Sequence, residues 1–278
     1  MILYESRFEE AYASRRKTLS CQLHLHHEIE FCYMAEGSTT VWADEKKYKA
    51  SAGDLILFFP NQIHGFENDD NVNAILFILS PDDFHDYLTL FRNYKLICPV
   101  VTPRNTKEVK SAFNKAYDIS KKIGSEPFAA EMMRGYLSVA LASLFSVSAP
   151  IAYSNNDLSS MQKILLYCDT HYNEQLSLVT LEKKLGLSRY YISHIFYDKI
   201  KIGFSDYVNL LRINAAKSML KHSDKIITDI AFDSGFTSIR TFNRQFVNIC
   251  GFTPAEYRKR YIEKLPTNEN SISITHDK

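Results

Sequence analysis

The last hundred residues carry one unit twice, and this repeat limits the possible folds more than any other feature. Phe196 is followed eleven residues later by Tyr207, with Ser205-Asp206 just before it. Phe246 is followed eleven residues later by Tyr257, with Ala255-Glu256 just before it. The copies are offset by fifty residues. Upstream of each Phe stand a glycine, an apolar residue and a hydroxyl: Gly186-Leu187-Ser188, then Gly235-Phe236-Thr237-Ser238. A solenoid needs three or more repeats to bury its faces. Two copies therefore point to two small modules with one shared job.

Each module has the layout of a helix-turn-helix. In the second copy Thr228 is the expected N-cap, and Ile230-Ala231 open a short helix. Gly235 permits the positive φ of a sharp turn, and Ser238 caps a second helix to about residue 250. Phe242 and Phe246 face the core, while Arg240 and Arg244 share another face. The first copy predicts a helix over 178–185, a turn at Gly186-Leu187, and a helix capped by Ser188 to about residue 200. Ile192, Ile195 and Phe196 point inward there; Tyr190, Ser193 and His194 lie off that stripe. Between the modules, Tyr207, Leu211, Ala215 and Leu220 mark one helix from Ser205 to about His222. Two recognition helices on one rigid body can enter successive major grooves, about 34 Å apart.

Residues 158–261 resemble the DNA-binding domain of AraC/XylS-type transcription regulators. The resemblance rests on Leu185-Gly186-Leu187-Ser188, on Tyr207 through Arg212-Ile213 to Ala216 and Leu220, and on Ile230-Ala231 and Gly235-Phe236. Phe242, Arg244, Phe246 and the run from Gly251 to Arg258 complete it. It implies sequence-specific binding to double-stranded DNA. There are two departures. Glu182 stands where the family usually has a small residue (Ala231 in the second copy), and Lys201 stands where the second copy has Gly251. They predict a first module that packs more loosely or binds DNA less well than the second.

Charge agrees with this reading. Residues 158–263 hold fifteen Lys and Arg against ten Asp and Glu; residues 1–157 hold sixteen against twenty. The net +1 of the chain thus conceals a basic C-terminal half and an acidic N-terminal half. Binding through phosphates predicts salt dependence. On a lone helix Arg240 and Arg244 would be an ordinary solvated face; two modules in register favour DNA contact. By face, Arg240 and Arg244 meet base or phosphate, since the guanidinium fork matches guanine O6/N7. Ile239 and Thr241 are placed to meet thymine methyl groups. Tyr190, Ser193 and His194 take the corresponding places in the first module, with Arg189 on phosphate. Ser188 and Ser238 cap their helices and offer backbone N–H groups to phosphate.

The N-terminal part reads as β up to about residue 80, with apolar runs at 21–25, 29–34, 38–42, 55–59 and 74–79. Evenly spaced short strands favour a barrel or jelly roll, and Asp44-Glu45-Lys46-Lys47 is a hairpin turn. His24, His26 and Glu30 have even numbers, so an unbroken strand would put them on one face. Gly37 comes after six further residues, Gly53-Asp54 open a second segment, and His64 follows Gly53 by eleven. This resembles the cupin barrel, with Asn68 also fitting and Thr18 in place of the family's upstream Gly. In cupin enzymes the equivalent residues bind a divalent transition metal, and imidazoles with a carboxylate are a sound ligand set. The resemblance thus makes His24, His26, Glu30 and His64 candidate metal ligands. They are equally candidates for the hydrogen-bonding wall of an organic-ligand pocket, or for the solvent side of the strand. Alternation leaves this open, because the odd face (Leu23, Leu25, Ile29, Phe31, Tyr33) is apolar too. Of the nearby rings, Tyr33 and Trp42 are candidate ligand contacts; Phe31, Phe58, Phe59 and Phe66 suit either a pocket or a core.

From 106 to 147 the period becomes helical, with a break at Gly124 and Pro127. The second of these helices is apolar nearly all round, more than a surface helix needs. Either the barrel and the first helix cover it or a second subunit does; the resemblance implies a homodimer paired here. The expected organisation is α+β: a cupin-like sensing and dimerisation domain at 1–148, a linker at 149–160 that includes Asn155-Asn156-Asp157, the DNA-binding domain at 161–263 and a polar tail at 264–278.

Five scattered cysteines without a Cys-x-x-Cys pair fit reduced thiols in a cytoplasm. No apolar stretch reaches about 18 residues, early Glu5, Glu9 and Glu10 argue against a secretory signal, and no phosphate-cradling or nucleophile motif appears. The expectation is a cytoplasmic, ligand-responsive regulator and not an enzyme. Its resemblance implies a sugar or related metabolite as effector and activation as the outcome. The rival is a metal-dependent cupin enzyme tethered to DNA. A regulator governed by its own abundance, with a barrel too filled for ligand, is a third reading.

Overall fold

The computed structural model describes residues 3–4, 11–44, 46–67, 71–152 and 158–263. Glu45 of the expected hairpin, Asn68, Asn155-Asn156-Asp157 of the expected linker and the tail from 264 lie outside the described residues. Two five-stranded sheets form the first half. One has the order β1 (Leu3–Tyr4), β3 (Cys21–Leu25), β8 (His64–Glu67), β5 (Ser38–Ala43), β6 (Lys46–Ser51). The other has the order β11 (Val100–Val101), β7 (Leu55–Phe58), β4 (Ile29–Glu36), β9 (Asn73–Leu79), β2 (Ala11–Arg16). All pairings are antiparallel except β1 with β3.

Strand β4 is buried on both faces, which is why its alternation was uninformative. Its even residues Cys32 and Met34 pack between the sheets with Val41, Ile56 and Ile78. Its odd residues Ile29, Phe31 and Tyr33 pack outward against helices α2 (Thr106–Ser120) and α3 (Ala129–Phe145), where Phe31 meets Phe113 edge-on. Even-numbered Glu30 therefore belongs to the barrel side. Helix α2 opens on Asn105, whose side chain accepts from the Glu108 amide. Helix α3 follows Phe128, held at φ 58°. Met133, Leu137, Ala140, Leu141 and Leu144 of α3 are buried, while Met132 and Val139 are exposed. The barrel and α2 thus cover most of the excess apolar surface. Helix α1 (Leu88–Asn93) leads into β10 (Tyr94–Lys95), which pairs with β12 (Ile151–Ala152). The start of the expected linker is thus held in a ladder.

The second half is helical: α4 (Ser160–His171), α5 (Leu178–Leu185), α6 (Arg189–Ile195), α7 (Phe204–His222), α8 (Ile227–Asp233), α9 (Ile239–Cys250) and α10 (Pro254–Glu263). Helix α7 serves two cores. Its Tyr207 and Leu211 join Leu181, Ile192 and Phe196 in the first. Its Ile213, Ala216 and Leu220 join Ile230, Phe242 and Phe246 in the second. Between them Arg212 donates from Nε to the Tyr172 carbonyl and from its terminal nitrogen to the Glu174 carbonyl, both at 2.8 Å. The turn of the second module rests on the same segment. Gly235 has φ +92°, and a Cβ there would lie 2.6 Å from Asn173 Cα.

The two copies differ where the sequence departs. Helix α9 runs unbroken to Gly251, at φ +74°. Helix α6 passes into a π turn, Phe196–Ile200, that ends on Lys201 at φ 61°. Thr228 lies inside α8, whose cap position is Ile226 and carries no side-chain cap bond. Ser188 caps α6 by accepting from the Tyr191 amide. Ser238 occupies the cap position of α9 without such a bond.

Candidate functional site

On the helical half, the outward faces of α6 and α9 carry the residues singled out from the repeat. Arg240 and Arg244 are exposed on α9, and among the described residues neither has an ion-pair partner. Thr241 is half-buried, and Ile239 packs partly against the second core. On α6, Tyr190, Ser193 and His194 are exposed. The charged groups of α6 are engaged within the protein. Arg189 Nε lies 2.9 Å from Glu182 Oε2, and His194 Nε2 lies 2.8 Å from Asp198 Oδ2. Ser188 and Ser238 sit at the starts of their helices.

In the barrel the structure gathers His24, His26, Glu30 and His64. One ligand atom from each lies within 4.8 Å of the others, and all four residues are buried. They do not come from one unbroken strand. His24 and His64 face each other across the β3–β8 ladder. His26 sits in the bend between β3 and β4, and Glu30 comes from the opposite sheet. Ring centroids are 4.3 Å apart for His24 and His64 and 4.9 Å for His26 and His64. Phe58 stacks on His64 at 4.2 Å.

Backbone carbonyls set the tautomers. Nδ1 of His24 donates to the Gln22 carbonyl at 2.9 Å, that of His26 to the Glu28 carbonyl at 3.1 Å, and that of His64 to the Gln62 carbonyl at 2.8 Å. A carbonyl can only accept, so each Nδ1 is the donor there and each Nε2 is the ring atom turned to the group. The Nε2 atoms of His26 and His64 lie 3.4 and 3.5 Å from Glu30 Oε2. In this buried group either a ring proton or a metal ion can stand between each Nε2 and the carboxylate. Burial pushes the Glu30 carboxyl up, but hydrogen bonds and charge from His26 and His64 bring it well below the usual carboxylate range. The donor set fits a divalent transition metal. Bonds of about 2.1 Å place ligand atoms up to about 4.2 Å apart, a small closure from the observed spacing.

Tyr33 and Trp42 are not part of this group. Tyr33 points to the helix pair, 5.6 Å from Phe113 by ring centroids. Trp42 lies on the outer face of its sheet, where Nε1 donates to Glu67 Oε1 at 2.8 Å and Lys47 covers the ring. This corrects their expected place beside the histidines: each alternates away from the interior that Val41 and Cys32 occupy.

Sequence reasoning missed the group that joins the barrel to the helices. Leu25 and Ile63, neighbours of His24 and His64, pack into one cluster with Ile164, Leu165 and Cys168 of α4. Gln162 Nε2 donates to Asp44 Oδ1 at 2.9 Å, and His27 Nδ1 lies 3.4 Å from Asp169 Oδ1. Burial pushes the Asp169 carboxyl up, and His27 opposes that rise. No sequence motif marks these pairs, because their partners are more than a hundred residues apart.

The fold is thus a double-sheet barrel with a buried imidazole–carboxylate group, followed by paired helix-turn-helix modules on one shared helix. Residues 16–80 match the model of a cupin domain and residues 181–260 that of a helix-turn-helix domain. In both parts the chain is similar to AraC-type helix-turn-helix transcriptional regulators. An uncharacterized HTH-type transcriptional regulator of Staphylococcus aureus is 35% identical over 128 residues, 45% of this chain and 17% of that protein. The chain thus spans about a sixth of the length of that relative. The uncharacterized HTH-type transcriptional regulator YdiP of Escherichia coli is 26% identical over 249 residues, 86% of this chain and 81% of that one. Unsaturated fatty acid bound ToxT from Vibrio cholerae is 17% identical, covers 93% of this chain and 96% of its own, and has a TM-score of 0.41. Among the described residues no helix is long and apolar enough to cross a membrane.

Proposed function

We propose that this regulator binds specific double-stranded DNA through both modules, with α9 supplying the charged contacts and α6 the second helix in the groove. The carrying observation is α7, one helix buried in both cores, with Arg240 and Arg244 exposed and, among the described residues, without an ion-pair partner. Selection from random duplexes, followed by footprinting, is the direct experiment. The expected result is a site with two protected major-groove segments about one helical turn apart. Arg244→Ala is expected to weaken binding to that site by about 1–3 kcal/mol. A purified protein that enriches no sequence would sink the reading.

The effector site is placed at His24, His26, Glu30 and His64. These residues would hold a divalent transition metal ion, which would supply a fixed positive charge and a coordination point for an oxygen donor of a small ligand. A sugar is the weaker choice, because Tyr33 and Trp42 face elsewhere and the interior beside the histidines is apolar. Elemental analysis of purified protein is expected to find about one metal ion per chain, and His64→Ala to lose it. Wild-type protein without stoichiometric metal would leave the four as a hydrogen-bonded wall. A homodimer through the exposed Met132 and Val139 of α3, activation of target genes and a cytoplasmic location complete the proposal.

A further inference from the structure

The two recognition helices present charge in opposite ways. On α9, Arg240 and Arg244 are exposed and unpaired among the described residues. On α6, the one arginine is already occupied. Glu182, on α5, accepts the Arg189 amide N–H with Oε1 at 3.2 Å and meets Arg189 Nε with Oε2 at 2.9 Å. One carboxylate thus takes the backbone donor and the side-chain donor that a DNA phosphate would use. The second module has Ala231 at the equivalent place and no carboxylate there. His194 is likewise paired, with Asp198. Also exposed are Tyr190 and Ser193 on α6, Tyr190 at 82%, and Tyr197 at 78% in the π turn, with the Lys201 ammonium over the Tyr197 ring.

We propose that Glu182 is a positioning residue that withholds Arg189 from the phosphate backbone, so that the first module meets DNA through Tyr190, Ser193 and Tyr197 and the second carries the salt-dependent contacts. This rests on the DNA-binding reading above. The pair is exposed, 61% for the Arg189 side chain and 36% for Glu182, so it is weak enough for its loss to be read as a change in affinity rather than in folding. Phosphate carries no sequence information, so a released Arg189 strengthens binding to any duplex.

The experiment measures fluorescence anisotropy of a labelled duplex carrying the selected site, and of an unrelated duplex, over a range of salt concentrations. The proteins are the full chain, E182Q, R189A, E182Q/R189A and R244A. Glutamine keeps an acceptor for the Arg189 amide, and thermal melting confirms each fold. E182Q is expected to bind both duplexes about two- to five-fold tighter at low salt, with a salt slope steeper by about 0.9. That gain is expected to vanish in the R189A background, and R189A alone to cost less than R244A does. A gain that persists without Arg189 means general charge removal and overturns the proposal, as does an R189A loss equal to that of R244A. E182Q with unchanged affinity and slope overturns it as well. If R244A also binds unchanged, the DNA-binding reading itself has failed.

Discussion

Lys201 shows how much one residue can carry. It ends the π turn at φ 61°, the conformation that Gly251 adopts at φ +74° in the second copy. A side chain in this left-handed region costs about 1–2 kcal/mol, which glycine avoids at some cost in unfolded-state entropy. Lys201→Gly is therefore expected to stabilise the chain by about 0.5–1 kcal/mol, read as a higher melting temperature. No change, or a loss, would mean that the Lys201 ammonium over the Tyr197 ring offsets the backbone strain. The departure was legible because the two copies supply an internal comparison. The histidine cluster was legible in its residues and not in its geometry. Parity put His24, His26 and Glu30 on one strand face, but the chain bends at His26 and delivers Glu30 from the opposite sheet. Nearness in sequence misplaced Trp42, because neighbouring residues of a strand point to opposite faces and Val41 takes the inward one.

Among elements, those missed in the sequence are the ones whose patterns are dominated by their surroundings. Strand β6 is a sheet edge that shows mostly lysines to solvent, with Ala50 alone buried, so it lacks the alternation by which strands are found. Strand β8 is four residues long and buried around Gly65. Helices α5 and α9 each pack one stripe on one core, α7 packs against two, and their spacing predicted all three within a residue or two. The end of α7 bears on the barrel half. His222 there is exposed and lies near Arg134 and Glu131 of α3 and Asp83 of the 3-10 turn Pro81–Asp83. Burial, Arg134 and Lys221 push its imidazole below the ordinary value, while Asp83 and Glu131 pull it back up. The folded state thus resists protonation and the unfolded state does not. This site contributes stability above about pH 6.5 that is lost as pH falls below it. The melting temperature is expected to drop from pH 7.5 to pH 5.5, and His222→Gln to flatten part of that drop. An identical drop in the variant would assign the acid sensitivity to other groups.

Across the whole molecule, the effector candidate and the DNA face are linked through α4. Leu25 and Ile63 flank the histidines and pack on α4, and His27–Asp169 and Asp44–Gln162 bind the same helix. Strand β1 lies against the π turn of the first module. An ion or ligand that changes the strand ends at His24 and His64 therefore changes what α4 rests on. By linkage, metal and DNA must alter each other's affinity by the same factor. Adding zinc to chelator-stripped protein is expected to shift DNA affinity by about five-fold or more, and Asp169→Asn to shrink that shift toward none. An undiminished shift in the variant would route the coupling elsewhere. The shared helix α7 has a consequence of another kind. Because both cores grip it, the distance and angle between the recognition helices are written into its residue count. One inserted residue would turn the second module by about 100° and advance it about 1.5 Å. Seven would nearly restore the angle and move it about 10 Å. The spacing of the two half-sites on DNA is thus an integer property of one helix, changeable by evolution only in whole turns.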